Sequence, residues 1–130
     1  MKKAKLKMQL IKEDIGYSAY THIGKDLIAT QGDDFDDLKF NVLEATNLYF
    51  EDKGLVYTIE EIEFKMELTS FFEFYKVINA KALSQRIGMN QSLLAQYIKG
   101  NKKPSPTQTQ RILKGVQQVG RELAEVQFIM

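Results

Sequence analysis

The chain has no cysteine, a single histidine and only two prolines in 130 residues. No apolar stretch approaches the roughly 20 residues that a membrane helix requires. Without cysteine there is neither a disulfide framework nor a thiolate metal site. With His22 as the one imidazole, neither a zinc pair nor a Cys–His nucleophile can be assembled. His22 itself reads as a solvated residue in the turn after a second strand. Met1-Lys2-Lys3 leads into a charged, alternating segment rather than an apolar signal core, so a cytoplasmic location is expected. Internal repeats and low-complexity tracts are also missing. At 44% hydrophobic and 27% charged residues, the composition is that of an ordinary globular protein, long enough for one domain or two small ones.

The formal net charge of +1 conceals two unlike halves. Residues 1–70 carry 9 Lys and Arg against 14 Asp and Glu, whereas residues 71–130 carry 9 against 3, namely Glu73, Glu122 and Glu125. Between Ala80 and Gly115 there are Lys81, Arg86, Lys99, Lys102, Lys103, Arg111 and Lys114 with no acidic residue, the local field that a phosphate backbone needs. The acidic half points to a different partner.

That acidic half has strand periodicity. Leu6, Met8 and Leu10 alternate with Lys5, Lys7 and Gln9, and Tyr17–Tyr20 and Leu27–Thr30 continue as short strands, giving a three-stranded meander. A helix opens at Asp33-Asp34-Phe35-Asp36-Asp37 and runs to about Asp52, with Phe35, Leu38, Val42, Ala45 and Tyr49 on one stripe, until Lys53-Gly54 ends it. Glu61 to Leu68 alternates as a strand, Ile62, Phe64, Met66 and Leu68 facing one way. The basic outer face of the first strand and the acidic outer face of the fourth make them favourable neighbours. A helical crossover would then lay strand four parallel to strand one, for an order of 3-2-1-4. The helix carries Phe40, Leu43 and Phe50 off its main stripe, and Phe71, Phe72, Phe74 and Tyr75 follow strand four. Such apolar surface either meets another chain or crowds into an intramolecular core. Ser70 and Glu73 read as a capping box starting the next helix.

The basic half contains a helix-turn-helix pattern: a helix Ala80–Ile87, a turn at Gly88-Met89-Asn90, a second helix Gln91–Lys99, then Gly100-Asn101-Lys102-Lys103-Pro104. Leu83, Ile87, Leu93, Leu94, Tyr97 and Ile98 fall where two crossed helices share a core, and Gln91, Ser92 and Gln96 fall on the opposite side. A glutamine amide both donates and accepts, so near a helix N-terminus it can pair bidentately with adenine N6 and N7 in the major groove. A helical hairpin used only for protein contacts is the alternative. Pro106 to about Arg121 reads as a further helix, and Ala124–Ile129 alternates like a strand, a tail suited to pairing with a symmetry mate.

The cluster Asp33, Asp34, Asp36 and Asp37 is best explained by helix capping and the helix dipole. Counted from Asp34, an EF-hand loop would need Gly and Glu where Lys39 and Ala45 stand. No nucleophile, base and oxyanion-hole arrangement is present, so neither catalytic nor metal-binding residues are assigned and no cofactor is expected.

Leu83-Ser84-Gln85-Arg86-Ile87-Gly88-Met89-Asn90-Gln91-Ser92-Leu93-Leu94-Ala95-Gln96-Tyr97 with Lys99–Ser105 resembles the phage-repressor-like (Cro/C1-type, XRE) helix-turn-helix domain, Ser84 standing where a small apolar residue is commonest. The resemblance implies base reading by Gln91, Ser92 and Gln96, and phosphate contacts by Asn79, Lys81, Asn90, Lys99, Asn101, Lys102 and Lys103. Gly16–Tyr20 and Ala29–Leu38 look like the HicB antitoxin domain, although Thr21–Ile28 lacks that family's usual Pro-rich loop. This second resemblance implies a partial ribonuclease H-like layer in residues 1–69 without a working active site. That layer would bind a small basic HicA-type toxin that cleaves messenger RNA, while residues 70–130 repress the operon at operator DNA. The fold expected is therefore α+β: a four-stranded sheet with one crossover helix, then an all-α helix-turn-helix domain and a strand-like tail. A homo-oligomer, dimer or dimer of dimers, is expected as well. Two competing functions remain open: a stand-alone phage-like repressor whose N-terminal domain senses a small ligand, and a nuclease using Asp33–Asp37 with a divalent metal.

Overall fold

The first strand alternates because one of its faces is dry. In the structure, a computed structural model that describes residues 3–130, β1 (Leu6–Lys12) buries Leu6, Met8 and Leu10 and exposes Lys7 and Gln9. Met1 and Lys2, which open the charged N-terminal segment, lie outside the described residues. The chain divides into two units, Met1–Ser70 and Phe71–Met130.

In the first unit β1 pairs antiparallel with β2 (Tyr17–Ile23) and parallel with β4 (Ile62–Met66). β3 (Asp26–Gly32) pairs with the far side of β2, so the order is β3-β2-β1-β4, as expected from sequence. Lys7 stands opposite Glu63 in register, and Lys3 reaches Glu61 at 2.8 Å. Exposed ion pairs contribute at most about 1 kcal/mol each, whereas burying Leu6, Met8, Leu10 or Ile62 is worth about 1.5–3 kcal/mol apiece. The apolar face therefore fixes the sheet, and the charges refine its register.

Helix α1 (Phe35–Phe50) packs on that face through Leu38, Val42, Thr46 and Phe50. Asp34 caps it, accepting the Asp37 N–H at 2.7 Å, while the Asp37 carboxylate accepts the Asp33 N–H at 2.9 Å. The aspartate run thus closes the first turn. A 3-10 turn at Glu51–Lys53 follows, and Gly54 at φ 67° stops the helix.

Several local expectations are corrected. β2 and β3 run on to a two-residue turn at Gly24-Lys25, with Ile23 opposite Asp26. His22 accordingly lies within β2, its ring edge-on to Tyr20 at 5.9 Å, rather than in a turn. Pairing of backbone groups carries the strands beyond their apolar residues. β4 is shorter than the alternation suggested: Glu61 closes a 3-10 turn and accepts the Thr58 N–H and hydroxyl at 3.0 and 3.1 Å. Leu68 already begins α2 (Leu68–Phe74), so Ser70 and Glu73 lie inside that helix and do not start it. Phe50 is core, edge-on to Tyr49 and tilted against Tyr57, and Leu43 packs partly buried; only Phe40 of the three surplus residues stays exposed.

The second unit is helical: α3 (Ala80–Ile87), α4 (Gln91–Lys99) and α5 (Pro106–Glu125). Each start has a side-chain cap, from Asn79, Asn90 and Ser105, and Gly88 and Gly100, at φ 65° and 80°, end α3 and α4. α5 is a turn longer than expected, and Ala124 and Glu125 belong to it. From Val126 the tail is exposed and belongs to no helix or strand, so the expected strand does not form within the chain.

α5 crosses α3 at Gly115, where an added methyl group would collide with the Ile87 side chain; at Gly120 it would meet nothing within 4 Å. Alanine in a helix interior is better than glycine by about 1 kcal/mol, and overpacking costs about 1–3 kcal/mol. Gly120→Ala is therefore expected to raise the melting temperature and Gly115→Ala to lower it. Thermal unfolding of the two variants side by side checks the packing of α5.

Candidate nucleic-acid interface

The turn between α3 and α4 is set by glycine and asparagine chemistry. Gly88 takes the left-handed conformation that ends α3, and the Met89 N–H donates to Ser84 O at 2.9 Å. Asn90 then starts α4, its side-chain oxygen accepting the Ser92 and Leu93 N–H groups at 2.8 and 3.2 Å. This reciprocal use of C-cap and N-cap fixes the entry of α4 within three residues.

Leu94 and Tyr97 of α4, Leu83 of α3, Met89 of the turn and Ile112 of α5 are the buried apolar residues of the α3–α5 helices and their turn, with Ile87, Leu93 and Ile98 half-buried. Ser84 is also buried, its hydroxyl donating to Lys81 O at 2.6 Å. A serine at an apolar position is tolerated because the helix backbone satisfies it.

With that face turned inward, the opposite arc of α4 carries Gln91, Ser92, Ala95, Gln96 and Lys99. Gln91 and Ser92, the first two helical residues, are exposed, whereas Gln96 is half-buried. Gln96 O accepts the Asn101 N–H at 2.9 Å, tying the end of α4 to the basic loop after it. Lys81, Lys99, Asn101, Lys102 and Lys103 are all exposed, and no carboxylate pairs with these four lysines among the described residues. Asn79 and Asn90 are exposed but their side-chain oxygens are committed to capping.

Two of the basic residues between Ala80 and Gly115 have internal roles that the sequence does not advertise. Arg111 donates to Ile87 O and Gly88 O at 3.0 and 2.8 Å, neutralising the carbonyl end of α3. Arg86 forms a two-pronged pair with Glu122 at 3.0 and 2.7 Å. The guanidinium holds the Glu122 carboxyl down to about 2, helped by a hydrogen bond from Gln118. This charge pair is therefore intact across the neutral range and is lost only as pH falls through that value. The five lysines of the segment remain as its outward positive charge.

Among the described residues no three His, Cys, Asp or Glu side chains are placed to hold a metal ion, and no helix is long and apolar enough to cross a membrane. In the first unit an open groove of about 380 Å³ lies on the sheet face away from α1, lined by Gln9, Tyr20, Lys65 and Glu67 among others. Comparison with family models, with curated proteins and with solved structures finds no match.

Proposed function

We propose that this protein is a non-enzymatic antitoxin and repressor: its helical unit binds operator DNA, and its sheet unit binds and neutralises a small basic toxin of the HicA type. The observation that carries the DNA half is the pair Gln91 and Ser92, exposed on the first turn of a well-capped α4 and followed by an unpaired lysine cluster. Insertion of that turn into a major groove brings amide and hydroxyl groups to base edges. Lys81, Lys99, Lys102 and Lys103 then meet phosphates on either side, releasing counterions. The toxin half rests on the HicB resemblance and on the excess of acidic residues in positions 1–70, which suits steering of a basic partner.

The protein acts in this reading as a dimer, or dimer of dimers, in the cytoplasm. Leu123, Val126, Phe128 and Ile129, all exposed at the end of α5 and in the tail, are the apolar groups that a second copy would cover. Two copies would present α4 to half-sites about one DNA turn, roughly 34 Å, apart.

The DNA half is tested on the region upstream of the protein's own gene. Gln91→Ala is expected to relax base preference by about 1–3 kcal/mol at one position per half-site, read by competition between operator variants. Lys102→Ala is expected to weaken binding to every sequence and to reduce the salt slope by about one. Unchanged base preference in Gln91→Ala would remove α4 from the major groove. A second reading, a stand-alone repressor that senses a small ligand, draws on the open sheet groove, with its Tyr20 hydroxyl held by Gln9 at 2.8 Å. It predicts operator release by a small molecule without any protein partner.

A further inference from the structure

The inner arc of α1 explains why residues 35–50 form a helix, but not what its outer arc carries. Phe40 and Leu48 are 66% and 71% exposed. Eight residues apart, they project to the same side of the helix with Glu44 between them, about 12 Å from one another along the axis. Single exposed apolar residues need no explanation; two large ones at anchor spacing are the pattern of a helix laid into a groove.

The charges around them are equally specific. Asp36, Asp37, Glu44 and Glu51 are exposed on the same arc. Asp36 and Asp37 sit in the first turn, where the helix dipole favours anions. Glu44 is in the middle of the helix, and Glu51 follows its last residue, at the end where the dipole disfavours negative charge. Neither the Glu44 nor the Glu51 carboxylate has a hydrogen-bond or ion-pair partner among the described residues. Helix stability therefore accounts for half of this acidity and leaves the other half to something outside the helix.

We propose that the outer face of α1 is a docking surface for a basic protein, with Phe40 and Leu48 as apolar anchors and the flanking carboxylates as its electrostatic rim. This rests on the antitoxin reading and gives that reading its contact surface. Charge decides the occupant. Nucleic acid and anionic lipid are repelled by these carboxylates. A second copy placed across a two-fold axis would set the same carboxylates against one another. The cationic α4 region is committed to DNA. A separate protein with a basic surface around an apolar groove satisfies both the anchors and the rim.

The test uses the full chain and, as probe, the purified product of the reading frame adjacent to its gene. Truncating both anchors together (Phe40→Ala with Leu48→Ala) is expected to weaken binding of that product at least about thirtyfold, as for interface hot spots. Glu44→Lys is expected to lower the association rate and its salt dependence, with a smaller effect on dissociation. Operator affinity is expected to be unchanged in all of them. Full binding of the product by the anchor variant would overturn this surface while leaving the antitoxin reading in place. Failure of the unaltered chain to bind the product would overturn both. A fall in the oligomeric mass of the anchor variant would assign the face to a second copy and overturn the proposal.

Discussion

Leu94→Ala is expected to cost the helical unit about 2–5 kcal/mol and, with it, the DNA binding proposed for that unit. Leu94 is 1% exposed and is the most deeply buried apolar side chain of α4. It lies on the buried face of α4, a helix that packs on α3, so its truncation removes buried methyl groups and leaves a cavity. At about 0.05–0.15 kcal/mol per residue, a unit of roughly 60 residues has only about 3–9 kcal/mol in total, so this loss removes a large share of it. Circular dichroism melting is expected to show the loss of helix, and a mobility-shift assay the loss of binding to specific and non-specific DNA alike. That pattern differs from the one expected of Gln91→Ala, a change of base preference in a folded protein. A variant that melts with its parent would mean that Leu94 is not core.

Gly32→Ala is expected to destabilise the sheet unit by about 3 kcal/mol, the upper end of the range for overpacking. Gly32 ends β3 opposite Tyr17. A Cβ there would lie 2.5 Å from Leu38 N, 2.7 Å from Leu38 Cα and 3.0 Å from Asp37 C. The obstacle is the main chain of the first turn of α1, which no rotamer change can move. Strand and helix approach this closely only because the position has no side chain. Gly24→Ala is the control: it has open space around it but φ at +59°, so its cost is the left-handed penalty of about 1–2 kcal/mol. Urea unfolding of both variants separates close approach from backbone strain. Equal midpoints would show that the β3–α1 contact is looser than described.

What could be read from the sequence was whatever depends on period and on capping. The strand order followed from three short apolar runs, one helix and one alternating strand, because a meander plus a crossover leaves few arrangements and complementary charge on β1 and β4 selects among them. The bounds of α3 and α4 were legible because Asn79, Asn90, Gly88 and Gly100 mark helix ends by their own chemistry. What stayed hidden depends on partners distant in sequence. The Ser/Thr-x-x-Glu pattern occurs at Thr58–Glu61 and at Ser70–Glu73, and only the first is used as a capping box, since Leu68 starts α2 before Ser70. Tyr57, buried with its hydroxyl donating to Ala4 O at 2.6 Å, has no periodic neighbours to announce it. Arg86 and Arg111 count toward the basic field between Ala80 and Gly115, yet they answer to Glu122 and to the end of α3.

By itself the sequence determined the α+β class, the order of the strands and the face of α4 that turns outward, because alternation, helical spacing and end caps are local properties of neighbouring residues. Only the tertiary structure decided which charges are spent inside the molecule and which remain outside it. It also decided that Phe50 is core while Phe40 is surface, since burial depends on what the rest of the chain brings alongside each residue.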